Sequence, residues 1–435
     1  MNQPVINSKS LSVAANLQPR NAPYRGGMIA ALDIGTSKVT CFIAERVTSD
    51  NPDGNLMRLS GVGCQASRGL RDGVVVNMEA AEQSIRNAID VAERMANTTV
   101  KSVTVGISSA RLESHTYNTR FALNGYAVQD EQMRELLLTV RDKYQTAEVE
   151  LLHAIPVSYH VDDSYNVDDP RGMYGDNLLV TAHAITAPVG PVRNLLACLE
   201  NCHLSVDTLV ATPYASALAS MVEDEMDLGA LSIDMGGGTT SFTIFHEGVP
   251  VHTGAVKIGG NQITSDIAHG LSVSLATAER IKTLYGCALA ETADRDEQFD
   301  VSLIGESGEE SIQKIQKSDL TRIIRPRITE TFELLMHELD RSNLAQLAGR
   351  RAVLTGGGAL LSGARELAQH MLEKQVRIGQ PTRLTGLPEA MSGPAFSACA
   401  GLVAYKRRQK AEELFTPTGK PSMLGRVGQW LKRNF

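Results

Sequence analysis

The sequence is poor in several things that would define a class at once. It holds one Trp, 5% aromatic residues, and no apolar run near the roughly 18 to 20 residues that a spanning helix needs. Its longest weakly polar stretch, 178–191, is interrupted by His183 and two prolines. The six cysteines (Cys41, Cys64, Cys198, Cys202, Cys287, Cys399) form no Cys-x-x-Cys pair and lie in apolar surroundings, which excludes a disulfide framework and reads as reduced core thiols. The histidines show no metal-ligand spacing, so no zinc is expected. What is present is ordinary for a folded chain: 435 residues, 43% hydrophobic and 21% charged. At about 100 to 200 residues per domain, that is enough for two to four domains.

Charge is segregated. The net charge is −7, yet residues 405–435 hold eight Lys or Arg against two Glu, which leaves the remainder at −13. An acidic body repels a phosphate backbone, so nucleic acid is not an expected partner. The basic tail is the part that needs an explanation.

Residues 1–27 have three prolines, no acidic residue and no apolar block of secretory type, the composition of a disordered extension. Residues 28–35 and 39–45 are β-rich runs around a Gly-Thr-Ser-Lys turn, a hairpin pattern. A helix at 77–97 and a strand at 101–107 follow. From 109 to 186 the pattern is less regular, with a helix at 130–144 and strands at 151–160 and 178–185, as expected of an inserted subdomain. Helix 188–202, strand 205–210 and helix 213–221 come next. Then the opening pattern returns, with strands 229–234 and 241–246 around a glycine turn, so a large unit is repeated. A strand at 351–355 leads through Gly356, Gly357 and Gly358 towards a helix at 362–373. A charged, proline-bearing linker closes the body.

Two loops share a design: Asp33-Ile-Gly35-Thr36-Ser37-Lys38 and Asp234-Met-Gly236-Gly237-Gly238-Thr239. Each sets an Asp at a strand end, then glycines and hydroxyls whose donors can converge on an anion, while the Asp can hold Mg²⁺ through water. Either alone is an ordinary hairpin turn. Their recurrence, with the third glycine loop, points to a phosphate clamp. Neither loop has Walker spacing or runs from a strand into a helix.

These loops, with Ala278-Glu279-Arg-Ile-Lys282 and Leu354-Thr355-Gly356-Gly357-Gly358, resemble the actin, Hsp70 and sugar-kinase superfamily. The similarity is greatest to the FtsA family of actin-like bacterial cell-division proteins, through Ser67-Arg-Gly69, Gly106-Ile-Ser108, His153-Ala-Ile-Pro156, the run 259–267, Tyr285-Gly-Cys-Ala-Leu289 and Gln375-Val-Arg-Ile-Gly379. The resemblance spans nearly all of residues 28–405. It implies an α/β fold of duplicated actin-like (ribonuclease H-like) domains with an inserted α+β subdomain. Subdomain 1A would cover 28–108 and 187–228, subdomain 1C 109–186, and subdomains 2A and 2B 229–404, with 2B at about 262–345. A linker at 405–421 and a terminal helix at 422–435 would follow.

The resemblance further implies ATP with Mg²⁺ between the halves. Thr36, Lys38 and Gly237 to Thr239 would hold phosphates, Asp33 and Asp234 the cation through water, Glu279 and Lys282 the ribose and base, and Gly356 to Gly358 the adenosine. Superfamily members that hydrolyse ATP place a Glu or Gln where this chain has Thr212, and a hydroxyl is no base near neutral pH. Turnover is therefore expected to be slow or absent, with no dedicated enzymatic role. Arg322, Arg325, Arg327 and Glu330, on a helix at 319–339, fall in the region that the resemblance assigns to the C-terminal tail of FtsZ, the tubulin-like ring protein. Read from the residues alone, they are equally a solvated charged face.

The last segment is an amphipathic basic helix. Met423, Leu424, Val427, Trp430, Leu431 and Phe435 share one arc, with Arg426, Gln429, Lys432 and Arg433 opposite. Such a helix suits a surface of anionic lipid, holding weakly alone and strongly in multiples. The expected protein polymerises through an actin-like filament and anchors the FtsZ ring to the cytoplasmic face of the inner membrane. Its inserted subdomain would serve filament contacts and later division proteins. The alternatives are a superfamily kinase or a PilM-like pilus-assembly adaptor.

Overall fold

The computed structural model describes residues 28–46, 57–289, 297–302, 312–382 and 384–412. The expected extension 1–27 and the terminal helix with its membrane-facing residues lie outside them. The first half opens with an antiparallel meander, β1 (Met28–Ile34), β2 (Lys38–Arg46) and β3 (Met57–Ala66), followed by a small hairpin of β4 (Leu70–Arg71) and β5 (Val74–Val75). Helix α1 (Met78–Ala96) starts where Asn77 Oδ1 accepts the Ala80 N–H at 3.0 Å and stops at Asn97, which is left-handed at φ 47°. It buries Ala81, Ile85, Ala88, Ile89 and Ala92 against the sheet, the spacing of one helical face. Strand β6 (Ser102–Ile107) then pairs in parallel with β1.

The chain leaves this half to build a three-stranded antiparallel sheet. It consists of β7 (Glu113–Ala122), β8 (Val149–Val161) and β9 (Asn177–Pro188), with β9 in the middle and helix α2 (Asp130–Tyr144) packed on one face. It returns through α3 (Val189–Asn201) to β10 (Ser205–Ala211), parallel to β6. Helix α4 (Thr212–Ser220) is buried at every residue, and α5 (Glu223–Leu228) leads to the second half.

The second half repeats the meander as β11 (Ala230–Met235), β12 (Thr240–His246) and β13 (Val249–Val256). Helices α6 (Gly260–Leu271) and α7 (Leu275–Tyr285), the paired β14 (Gln298–Ser302) and β15 (Ile312–Gln316), and the long α8 (Lys317–Ser342) follow. Then β16 (Arg351–Thr355), α9 (Ala364–Leu372) and β17 (Gln375–Ile378) complete a five-stranded sheet in the order β13-β12-β11-β16-β17. The first-half sheet runs β10-β6-β1-β2-β3, with β18 (Leu384–Thr385) added at its edge. The two sheets thus share one strand order. Helix α10 (Ser397–Glu412) crosses back and packs Cys399, Leu402, Val403 and Tyr405 into the first core. It therefore continues through residues 405–412, where composition alone reads as the start of a linker.

Candidate functional site

The pairing of each meander sends its acidic residue to the same place. Asp33 faces Thr40 of β2 across the ladder and Gly106 of β6 beside it; Asp234 faces Ser241 of β12 and Thr355 of β16. Each turn is closed by the same bond, Gly35 N–H to the Lys38 carbonyl at 3.0 Å and Gly236 N–H to the Thr239 carbonyl at 2.9 Å. Both carboxylates stand at the carboxyl ends of parallel strands, where open α/β sheets bind ligands.

The loops meet across a cleft. A Cβ on Gly238 would lie 2.7 Å from Thr36 Oγ1 and 2.8 Å from Asp72 Cα, so only glycine permits the approach. Gly356, at φ 82°, brings the third glycine loop against Asp234: a Cβ there would be 2.3 Å from Oδ1. The cleft holds about 420 Å³, in the range of small-molecule sites. Every cofactor-site residue expected from the sequence lines it: Asp33, Gly35, Thr36, Ser37, Lys38, Asp234, Gly236, Gly237, Gly238, Thr239, Glu279, Lys282, Gly356, Gly357 and Gly358.

Burial dominates the electrostatics. It pushes the Asp33 carboxyl up to about 6, Lys38 opposes the shift, and Asp234 adds to it. Asp234 is likewise raised by burial, opposed by a hydrogen bond from the Ser216 hydroxyl and by Lys38. Both acids thus hold their charge less readily than an exposed carboxylate does. Among the described residues no cluster of three or more His, Cys, Asp or Glu could cage a metal, so any ion here must keep much of its water.

Glu279 and Lys282 are less available than their spacing implies. Lys282 Nζ donates to Glu279 Oε2 at 2.7 Å, to Thr264 Oγ1 at 2.8 Å and to the Gly260 carbonyl at 3.0 Å, and its side chain is 15% exposed. A ligand would have to compete with those partners. Thr212 opens α4, buried and 2.8 Å from Ser108 Oγ. The only carboxylates lining the cleft among the described residues are Asp33, Asp234 and Glu279.

Ser108, Ser216, Asn261 and the apolar side chains of Leu284, Leu360 and Leu361 join the site without any signal in the loop motifs. All but Ser216 line the cleft, and Ser216 acts behind it through Asp234. Leu284 and Leu360 are 61% and 64% exposed, unusual for their type, but they are 76 positions apart and nothing local in the sequence joins them.

The four residues of the expected partner face lie on α8, remote from one another in behaviour. Arg327 bonds Asp266 of α6 at 2.6 and 3.1 Å and Glu330 at 2.6 Å. Arg322 pairs with Asp319 at 3.2 Å, and Arg325 is exposed. Arg327 thus fastens α8 to α6, with Glu330 holding its guanidinium from the same helix, which leaves Arg322 and Arg325 as the outward basic groups. No helix among the described residues is long and apolar enough to cross a membrane.

Comparison with known proteins places this architecture. The family model for Cell division protein FtsA matches residues 231–401, and that for the SHS2 domain inserted in FtsA matches 109–186. The Cell division protein FtsA of Agrobacterium fabrum is 40% identical over 432 residues, covering 96% of this chain and 98% of its own. That of Pseudomonas aeruginosa is 34% identical over 419 residues, covering 94% and 99%. Among solved structures, the PilM-PilN type IV pilus biogenesis complex aligns at TM-score 0.60 and 20% identity, covering 87% of this chain and 98% of that one. MreB5 of Spiroplasma citri bound to ADP aligns at TM-score 0.52 and 14% identity, covering 89% and 98%. The duplicated sheets, the domain inserted at 109–186 and near full-length identity to these relatives together show that the chain belongs to the FtsA family of cell-division proteins, on an actin-like α/β fold.

Proposed function

We propose that the chain binds ATP with Mg²⁺ between its halves, assembles with copies of itself, and ties the FtsZ ring to the cytoplasmic face of the inner membrane while helping later division proteins to join. The observation that carries this reading is the pair of matched loops facing each other over the carboxylates of Asp33, which is buried, and Asp234, which is part-buried. The donors suit the ligand. Convergent N–H groups of both turns and the Lys38 ammonium match a phosphate chain, and Asp33 and Asp234 match the waters of a hydrated divalent cation. The apolar Leu284, Leu360 and Leu361 suit the flat faces of a base. A protein of the same fold, MreB5, was solved with ADP, which supports the choice of an adenine nucleotide. When bound, the nucleotide supplies charge that both halves share, so occupancy favours the closed cleft.

The position of Thr212, with its hydroxyl turned to Ser108, favours a nucleotide that is held rather than consumed. Purified chain should bind Mg-ATP and release little phosphate. The tail residues Met423, Leu424, Val427, Trp430, Leu431, Lys432, Arg433 and Phe435 are proposed to reach anionic lipid, and Arg322 and Arg325 the FtsZ tail. Deleting 422–435 should abolish co-sedimentation with anionic liposomes and leave ATP binding intact. Sedimentation that survives the deletion would remove the tail from this account.

A further inference from the structure

We propose that Asp72 and Lys257 form a clasp across the phosphate end of the cleft and set how fast a bound nucleotide leaves. The proposal rests on the nucleotide reading of the cleft. It starts from a tight turn in the first half. Between β4 and β5 the chain reverses through Asp72 and Gly73 alone, at φ 52° and 77°, the positive pair of a two-residue hairpin turn. That turn reaches the corner where the phosphate loops meet. Gly73 donates its N–H to Thr36 Oγ1 at 3.0 Å, while Gly238 of the opposite loop abuts Asp72 Cα.

Two side chains of the second half hold the turn from the other side. Lys257 Nζ lies 3.2 Å from Asp72 Oδ2, and Gln262 Nε2 donates to Asp72 Oδ1 at 3.5 Å. Neither group is loosely attached. Lys257 directly follows β13, and the first turn of α6, which carries Gln262, hangs from the phosphate loop. There Gly260 N–H donates to the Gly236 carbonyl at 2.9 Å and Asn261 N–H to the Gly237 carbonyl at 2.8 Å. Parting the halves at this end therefore separates Lys257 from Asp72 and pulls on the turn that occupies the Thr36 hydroxyl. Neither Asp72 nor Lys257 lines the cleft. Their effect falls on opening, not on contact with the ligand, and they are positioning residues. The Lys257 side chain is 68% exposed, so the effect is modest and weakened by salt.

The test is release of a fluorescent ATP analogue, preloaded with Mg²⁺ on the full chain and chased with excess ATP. Lys257→Glu, which sets like charges against Asp72, should speed release roughly fivefold, and Lys257→Gln or Asp72→Asn roughly two- to fivefold. Asn tolerates the left-handed backbone that Asp72 adopts, so the turn itself survives. In the Asp72→Asn background, Lys257→Glu should add almost nothing. Higher salt should speed release more from the wild-type chain than from Lys257→Gln. Nucleotide that binds but leaves all variants at the wild-type rate, or effects of the two sites that simply multiply, would overturn the clasp alone. A wild-type chain that binds no nucleotide would overturn the reading of the cleft, and the clasp with it.

Discussion

The two halves share a strand order and a turn geometry, yet they furnish the cleft differently. Two positions after each Asp stands a glycine whose N–H closes the turn, Gly35 in one loop and Gly236 in the other. The next three positions are Thr36, Ser37 and Lys38 in the first half but Gly237, Gly238 and Thr239 in the second. Because the loops abut, the second has no room for side chains at Gly237 and Gly238, where an added Cβ would meet Ser37 and Thr36. The first brings hydroxyls and an ammonium, and the second gives way to them and offers backbone N–H groups. Insertions diverge as well. The first half interrupts itself after the fourth strand of its main sheet, β6, with the β7–β9 sheet, and the second after the third strand of its own, β13, with α6, α7, the β14–β15 pair and α8. Duplication accounts for the matched carboxylates. The differences assign each half its part.

The strongest way to break that division of labour is to give the second loop a side chain. Gly238→Val forces a Cβ into Thr36 and Asp72 and should weaken Mg-ATP binding by about 100-fold or more, measured by equilibrium titration. Thr36→Gly, which removes one hydroxyl, should cost far less.

The acids should differ next. The native carboxyl of Asp33 has been raised to about 6 from an ordinary 3.8, so the folded chain holds its proton more tightly than the unfolded chain does. That contribution to stability is complete below about pH 4 and is lost as pH rises through 6. Asp33→Asn should therefore stabilise the nucleotide-free protein at pH 7.5, by at most about 3 kcal/mol, with the gain vanishing near pH 4 in denaturant titrations. Asp234→Asn should gain less, since the bond from Ser216 already opposes the rise at Asp234. An Asp33→Asn protein less stable than wild type at pH 7.5 would mean that its charge is compensated within the fold.

Ser216→Ala should weaken Mg-ATP binding roughly three- to tenfold by freeing the Asp234 carboxylate, with Ser216→Thr restoring much of it. The smallest effect belongs to α8. Arg327→Ala should lower stability by about 1 kcal/mol through its lost bonds to Asp266 and Glu330, whereas Arg325→Ala should leave stability unchanged and weaken binding of an FtsZ tail peptide. The reverse pattern would put the partner face elsewhere.

Much of this fold is legible in the sequence itself. The hairpins around both Asp loops announce themselves by β-rich runs and glycine turns, and the helix at 77–97 by its apolar spacing. Strand β3 escapes because Gly61 and Gly63 thin its apolar alternation, and β7 because its residues, from Glu113 to Ala122, are mostly polar and gain a partner only when β9 pairs with them. The helix expected from 362 begins two residues later, after a 3₁₀ turn at Gly357–Leu360. In the cleft, local sequence names the glycines and acids but cannot supply contacts between distant segments. The capture of Lys282 by Thr264, the bond from Ser216 to Asp234 and the pairing of Lys257 with Asp72 exist only once the halves are folded together.

Amide hydrogen exchange with and without Mg-ATP, read on peptides covering 33–38 and 234–240, tests the central claim most directly. A shared grip predicts that both loops gain protection together and that Gly238→Val abolishes the gain in both. Protection confined to one loop, or to neither, would contradict it.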